Sequence, residues 1–169
     1  MIDFRPLTET DFPRLCDWLN RPHMRAHYQK VPVEIADVEK KYSPRLSPSH
    51  PTRCHLACYQ GEPFGKIQCY LLQDYPDFAA EIGEDDGVAI DLFIGDERFM
   101  GQGLGKAMLR SYVQDVVPSL FSGTLNCFVC HAKANKVAIR CSLSAGFRPH
   151  RDVIEGGEAS LLLLFGRST

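Results

Sequence analysis

The residues best suited to chemistry form a glycine-rich segment, Gly101-Gln-Gly-Leu-Gly105, which follows Arg98 and opens a predicted helix. Glycines let backbone N–H groups approach an anion, and a helix N-terminus adds about half a positive charge. A P-loop would need glycine in place of Met100 and serine or threonine in place of Ala107, and a dinucleotide fingerprint would need glycine in place of Lys106. The segment therefore predicts a phosphate-binding loop that belongs to neither of these motifs.

A single carboxylate, Asp91, interrupts the apolar run of a predicted strand, Val88–Ile94, just before the glycine-rich segment. A carboxylate among apolar residues is a candidate for proton transfer. The alternative is a strand residue whose side chain is hydrogen-bonded for structural reasons. Asp91 is therefore a candidate functional residue, with the structural role as the open alternative.

Seven cysteines raise the question of metal or haem binding. Cys127, Cys130 and His131 spell C-x-x-C-H, and Cys54 and Cys58 would complete a set of four thiols for zinc. Residues three apart on a strand point to opposite faces, so Cys127 and Cys130 are poorly placed to hold one ion. We therefore expect small, buried, reduced side chains and no metal.

Length and charge narrow the class of protein. The 169 residues fit one domain over residues 1–169, and the net charge of −2 argues against a nucleic-acid-binding surface. No segment reaches the ~20 apolar residues of a membrane span, and the first residues lack the pattern of a secretory signal. We expect a cytoplasmic protein without a membrane partner.

Strands and helices alternate along the chain and must position these residues. Strands are predicted at 2–6, 54–59, 64–72, 88–94 and 124–130, and a last hairpin turns at Gly156-Gly157. Four helices are predicted. The first covers 12–19 and is preceded by Thr8 as a candidate N-cap, and the second follows Pro32 and ends at 42. The third runs from 104 to Pro118, and the fourth runs from 135 to 145 and ends before Gly146. Three segments are predicted to lie in loops: residues 43–53, most of the acidic residues from 74 onward, and residues 131–135.

The segment from Arg98 to Gly105 resembles the pyrophosphate loop of the GNAT N-acetyltransferase superfamily, written Arg/Gln-x-x-Gly-x-Gly/Ala. Asn135, followed by Ala138-Ile-Arg140 and Ala145-Gly-Phe147, is similar to the family's second segment, an asparagine that opens a helix beside the pantetheine arm. The resemblance implies the GNAT fold, an α/β (α+β) architecture with a central mixed, mostly antiparallel sheet of about seven strands flanked by about four helices. It also implies acetyl-coenzyme A (acetyl-CoA) as co-substrate, bound by Phe93, Ile94, Arg98, Gly101, Gln102, Gly103, Leu104, Gly105, Lys106, Asn135 and Ala138.

A narrower resemblance is to aminoglycoside 6'-N-acetyltransferases and related siderophore-type acyltransferases. It rests on Asp17-Trp-Leu-Asn-Arg-Pro-His23, on Ala89-Ile-Asp91, on the glycine-rich segment and on Ala138-Ile-Arg-Cys141. It implies that Asp91 lies beside the acetyl thioester and prepares the amine. Ser142 stands where these relatives carry a tyrosine that is thought to protonate the departing thiolate. Serine is a far weaker acid, but a thiol pKa near ~8.5 makes thiolate a tolerable leaving group.

The acceptor side is predicted from charge. Positions 74–97 hold nine acidic residues and no lysine or arginine, a composition that attracts a polycation or simply forms a solvated loop. Asp85 and Asp86 are the candidate substrate contacts within this run. The narrower resemblance aligns His27 and Tyr28 with aromatic residues that cover the sugar, and a packing role for both stays open.

We therefore predict an acetyl-CoA-dependent N-acetyltransferase that acts on a primary amine of a polycationic, aminoglycoside-like small molecule. Direct attack in a ternary complex is expected, because Cys127, Cys130 and Cys141 lack the His and Asp spacing of an acyl-enzyme nucleophile. The alternatives are a siderophore-type N-hydroxylysine acyltransferase and a non-catalytic acyl-CoA-binding sensor. The protein is expected to be a monomer or a homodimer.

Overall fold

Seven strands form one sheet with the order β1-β2-β3-β4-β5-β7-β6 in a computed structural model that describes residues 1–123 and 126–166. Neighbouring strands are antiparallel at β1–β2, β5–β7 and β6–β7, and parallel at β4–β5. The predicted mixed, mostly antiparallel sheet is therefore confirmed. The strands are β1 Ile2–Pro6, β2 Arg53–Tyr59, β3 Glu62–Leu71, β4 Val88–Ile94, β5 Cys127–Ala132, β6 Arg148–Glu155 and β7 Glu158–Phe165.

The helices connect these strands in chain order. They are α1 Phe12–Leu19, α2 Pro22–His27, α3 Ile35–Tyr42, α4 Pro76–Ile82, α5 Leu104–Ser111, α6 Val117–Leu120 and α7 Lys136–Ser144. A π-helical turn, Tyr112–Val116, joins α5 to α6 without a break. No helix in the described part of the chain is long and apolar enough to cross a membrane.

The chain divides into two compact units, and strands β3 and β4 run through both. The first unit comprises Met1–Gln68 and Leu92–Gln102. Its core packs apolar residues of α1, α2 and α3 with Phe93 of β4. Trp18 and Tyr28 each meet Phe93 edge-on, at ring-centroid distances of 6.3 Å and 4.8 Å. This packing holds the end of β4 against the N-terminal helices.

The second unit comprises Cys69–Asp91 and Gly103–Thr169. Its core includes Ile82 of α4, Ala89 of β4, Phe128 of β5 and Leu162 of β7. The hairpin of β6 and β7 turns at Gly156-Gly157, both with positive φ, as the sequence predicted. This unit carries both the start of α5 and the start of α7.

Three helical segments with a proline in their first turn differ from the prediction. Pro22 opens α2 and Pro76 opens α4, and neither helix was predicted. With α5, the π-helical turn and α6 counted as one continuous segment, the described residues have six helices where about four were expected. Pro118 lies in the first turn of α6, and the helix continues to Leu120 rather than stopping at the proline. Proline fits the first turn because its missing N–H would have no intrahelical partner there.

Strand β5 also differs from its predicted bounds. It was predicted to start at Thr124, but Thr124 and Leu125 lie outside the described residues, and the strand runs from Cys127 to Ala132. His131 and Ala132, predicted to lie in a loop, pair with Leu161 and Ser160 of β7. The longer antiparallel pairing with β7 extends the strand by two residues and places His131 on the sheet.

Candidate active site

Asp91 lies on β4 just past the segment in which β4 pairs with β5. That parallel pairing joins Val88 to Cys127 and Ala89 to Phe128. Asp91 is half-buried, and its charge acts on Cys130, His131 and Glu155 of the same unit. The structure therefore surrounds the predicted base with titratable groups from β5 and β6.

His131 joins the two predicted catalytic residues. Its Nε2 lies 2.8 Å from Oγ of Ser142, and Ser142 is only 1% exposed. Burial lowers the pKa of His131 to about 4, although the charge of Asp91 acts in the opposite direction. At neutral pH the imidazole is accordingly uncharged; it contacts the buried Ser142 hydroxyl and lies within reach of the Asp91 charge.

Sequence reasoning missed His131 because the residue was assigned to a loop. A strand extended by two residues would have placed positions 127, 129 and 131 on one face. Cys127 and Val129 are buried, and His131 is partly exposed at the end of that face. The strand position of His131 follows from the pairing with β7, which no short-range sequence pattern revealed.

Further carboxylates enclose Asp91. Burial raises the pKa of the Glu155 carboxyl, and the charges of Asp91, Glu81 and Glu158 add to this effect. Glu155 is also hydrogen-bonded to the Cys130 thiol, whose pKa is raised first by burial and then by that carboxylate. The neighbourhood of Asp91 is thus acidic; sequence analysis did not identify Glu155, and it counted Glu81 only as a member of the acidic run.

Asn135 is the N-cap of α7, as predicted, and its Oδ1 accepts a hydrogen bond from the Ala138 N–H at 3.2 Å. This capping bond fixes the first turn of the helix that carries Cys141 and Ser142. Burial raises the pKa of the Cys141 thiol.

The glycine-rich segment ends at a helix start. Gly103 is the N-cap of α5 with φ +76°, and Gly101 has φ +72°. A Cβ added at either glycine would meet no atom within 4 Å, so the backbone there is open on the side that a side chain would cover. The first N–H groups of α5, from Leu104 onward, have no intrahelical acceptor.

Arg98 is 69% exposed and binds two carboxylates of the first unit, Asp96 and Glu62, at 2.8 Å and 3.1 Å. The hydrogen bond from Arg98 lowers the pKa of Asp96. Gln102 donates its side-chain amide to the Arg98 carbonyl, and Lys106 is exposed on the first turn of α5.

The end of β4 is held by α2. Nε2 of His23 lies 2.9 Å from the Ile94 carbonyl oxygen, and the N–H groups of Gly95 and Asp96 donate to the Phe64 carbonyl. The side chain of Phe93 is buried in the core of the first unit.

The predicted substrate contacts differ in exposure. His27, Asp85 and Asp86 are exposed, whereas Tyr28 is partly buried against Phe93. No group of three or more His, Cys, Asp and Glu side chains within residues 1–123 and 126–166 is placed to hold a metal ion, and the seven cysteines form no disulfide.

Comparisons with protein-family models and with known proteins agree on one family. The acetyltransferase (GNAT) domain model matches residues 8–154. Aminoglycoside N(6')-acetyltransferases type 1 from Klebsiella pneumoniae and from Serratia marcescens are each 30% identical over 151 residues, which cover 86% of this chain and 73% of theirs.

Solved structures agree with this comparison. A crystal structure of the aminoglycoside acetyltransferase AAC(6')-Ib in complex with coenzyme A and kanamycin has a TM-score of 0.78 at 26% identity, covering 99% of this chain and 95% of that one. The fold is shared with spermidine N-acetyltransferase from Vibrio cholerae, in complex with CoA and spermine, at a TM-score of 0.76 and 12% identity, covering 98% of this chain and 95% of that one. The chain therefore belongs to the GNAT acetyltransferase family, as its segments around Gly103 and Asn135 had indicated.

Proposed function

We propose that this protein transfers the acetyl group of acetyl-CoA to the 6'-amino group of an aminoglycoside. The observation that carries the proposal is the half-buried carboxylate Asp91 in an acidic neighbourhood, in a chain whose 30%-identical relatives are aminoglycoside N(6')-acetyltransferases. A carboxylate in this setting suits a substrate whose reacting group is an ammonium among other ammonium groups.

Acetyl-CoA binding is proposed for two chain segments. In the first, backbone N–H groups of residues 101–106 would hold the pyrophosphate, an assignment supported by the open glycines and the free helix start. Lys106 and Arg98 would add positive charge, that of Arg98 being partly offset by Asp96 and Glu62, and the Gln102 bond to Arg98 would brace the loop. In the second, the capped start of α7 at Asn135 and Ala138 would face the pantetheine arm.

The thioester itself is proposed to lie along β4. Backbone amides of Phe93 and Ile94 would pair with the acyl-pantetheine and polarise its carbonyl. The His23 contact to the Ile94 carbonyl supports this assignment because it fixes the backbone at that point.

Chemistry is proposed to start at Asp91. The carboxylate takes one proton from the acceptor ammonium, and the resulting amine attacks the thioester carbon directly. An acyl-enzyme is disfavoured because burial raises the pKa of the Cys130 and Cys141 thiols, which keeps both protonated and poorly nucleophilic. Ser142 is proposed to act in the same site through its contact with His131.

Acceptor binding is proposed for the exposed carboxylates Asp85 and Asp86, with His27 and Tyr28 beside the sugar. Solvent-exposed carboxylates attract a polycation and raise its local concentration. The contact between Tyr28 and Phe93 gives Tyr28 a packing role as well.

An amine panel read by product mass tests the proposal. Wild-type protein is incubated with acetyl-CoA and, separately, kanamycin, spermidine, N6-hydroxylysine and a peptide N-terminus. Acetylated kanamycin, with the label on the 6'-nitrogen, is the expected product. Acetylation of hydroxylysine alone would favour the siderophore-type alternative, and coenzyme binding without any acetylated product would favour a sensor.

A further inference from the structure

His131 is the one member of the Asp91 neighbourhood that bonds a buried hydroxyl and is uncharged at neutral pH. It lies on β5 past the segment paired with β4, as Asp91 does on β4. His131 is partly buried, whereas its partner Ser142 is 1% exposed. Of the pair, His131 is therefore the more accessible residue.

Transfer to a primary ammonium requires two protons to leave nitrogen, and one proton to reach sulfur. The first proton must leave before attack, and Asp91 is proposed to accept it. After attack, the nitrogen of the tetrahedral adduct still carries a surplus proton, while the departing sulfur needs one. Nitrogen and sulfur are bonded to the same carbon at this stage, so one well-placed base can serve both atoms, as a histidine does in serine proteases.

We propose that His131 is a further catalytic residue, whose Nδ1 takes the surplus proton from the adduct nitrogen and gives it to the departing sulfur of coenzyme A. In this step the C–S bond breaks, the proton forms the S–H bond, and the amide and the free thiol are released. The proton taken earlier by Asp91 is returned to solvent. The inference rests on the proposed acetyl transfer and adds a residue to it.

Ser142 is the positioning residue of this arrangement. The step uses the tautomer in which Nε2–H donates to the Ser142 oxygen across the 2.8 Å contact, which leaves the lone pair on Nδ1. The helix that carries Ser142 is fixed by the Asn135 cap, so the hydroxyl stands on a rigid element. Asp91 offsets the charge that the ring gains while it holds the proton.

The electrostatics suit a transient carrier. Burial holds the pKa of His131 at about 4, so at neutral pH the ring is unprotonated and can hold a proton only transiently. Once protonated, such a ring is a much stronger acid than a thiol of pKa near ~8.5, and it readily releases its proton to a thiolate.

Removal and chemical rescue of the imidazole test this inference. With acetyl-CoA and kanamycin, His131→Ala should lower kcat by about 10²-fold or more, with the KM of acetyl-CoA changed by less than about threefold. Added imidazole should restore part of the lost rate. The matched control is His55→Ala, a strand histidine of the first unit whose pKa burial also lowers, and it should keep its rate and gain nothing from imidazole.

Ser142 gives a second measurement that keeps His131 in place. Ser142→Ala should lower kcat by about tenfold at unchanged KM, and Ser142→Thr, which keeps a hydroxyl, should lose less. If His131→Ala fails to fold by circular dichroism, this pair decides the question.

The outcomes separate the two proposals. A wild-type protein that acetylates no amine overturns the proposed function. A wild-type protein that acetylates kanamycin, together with a His131→Ala variant that is equally fast or is unaffected by imidazole, overturns only the role of His131. Equal kcat in wild type and Ser142→Ala would overturn it as well.

Discussion

Carboxylates of the acidic run differ from one another at the level of single residues. Asp85 and Asp86 are exposed, whereas Asp91 is half-buried and interacts with titratable groups of β5 and β6. Exposed carboxylates are suited to attracting an acceptor, and a partly desolvated one beside an imidazole is suited to moving a proton. The segment thus contains several aspartates, but the chemistry of each one depends on the environment of its side chain.

Asp91→Asn tests that distinction. The amide is isosteric but cannot accept the ammonium proton, so kcat should fall by about 10²-fold or more while the dissociation constant of coenzyme A stays nearly unchanged. Steady-state kinetics and calorimetry measure the two quantities. Asp152→Asn, which alters an exposed residue paired with Lys133, is the matched control and should retain wild-type kcat. Equal kcat in wild type and Asp91→Asn from pH 6 to 9 would contradict the role of base.

At the scale of elements, the sequence predicted β1, α1, α3 and the last hairpin closely, because each has a clear period and a clear turn. It failed at helices that begin near a proline: no helix was predicted after Pro22 or Pro76, and Pro118 was taken as a stop. Pro22, Pro76 and Pro118 each lie in a first helical turn, and the sequence pattern alone does not distinguish a proline that ends one helix from a proline that begins the next.

The N-terminus of α1 supplies a pH-dependent prediction about stability. Asp11 accepts hydrogen bonds from Arg5 at 2.7 Å and 2.8 Å and from the Thr8 N–H at 2.9 Å. Burial acts to raise the pKa of Asp11, but these hydrogen bonds bring it below its ordinary value. The ionised carboxylate therefore stabilises the fold above the unfolded pKa, and this contribution is lost as the pH falls through the folded pKa.

Asp11→Asn should accordingly lower the free energy of unfolding at pH 7 by about 2 kcal/mol, since charged hydrogen bonds are lost. The difference from wild type should begin to shrink below about pH 4, where the unfolded chain takes up its proton, and should go on shrinking as the pH falls through the lower pKa of the folded state. Urea unfolding at pH 7 and pH 3 measures it. Asp17→Asn, whose side chain is 61% exposed, should change stability by less than about 0.5 kcal/mol. An Asp11→Asn effect that is equal at both pH values would refute the argument.

The start of α5 gives an element-scale prediction about coenzyme binding. Gly103 has φ +76°, and an added Cβ would meet no protein atom, so a side chain there would occupy the space that an anion must enter. Gly103→Val should weaken coenzyme A binding by about tenfold or more, measured by calorimetry. The control for backbone strain alone is Gly157→Val, which introduces a side chain at φ +81° in the hairpin turn. It should leave the affinity for coenzyme A unchanged. Equal affinities in wild type and Gly103→Val would exclude the loop as the phosphate site.

At the scale of the whole molecule, the family resemblance predicted that Asp91, Asn135 and Ser142 share one site, and the structure brings His131, Glu155 and Glu81 into one electrostatic neighbourhood with Asp91. These three were not predictable from spacing, because they lie 40, 64 and 10 residues from Asp91 and are gathered only by the sheet order. The near-neutral net charge of −2 likewise gives no sign of the acidic run, which is visible only when the charged residues are read in chain order.

That acidic run leads to a prediction about ionic strength. Nine acidic residues without a lysine or arginine between positions 74 and 97 should draw in a polycationic acceptor, and salt should screen this attraction over a Debye length of about 10 Å at 0.1 M. For kanamycin, kcat/KM should fall about tenfold or more between about 0.05 M and about 0.5 M salt, with kcat nearly constant.

The double variant Asp85→Asn/Asp86→Asn should reduce this salt dependence, because it removes two of the attracting charges. Glu39→Gln/Asp115→Asn removes the same charge from exposed positions outside the run and is expected to keep the wild-type dependence. Coenzyme A is itself anionic, so acetyl-CoA is held at saturation at every salt concentration to isolate the acceptor. If both double variants show the same salt dependence as wild type, steering by the acidic run is excluded, and its residues serve only to keep that surface solvated.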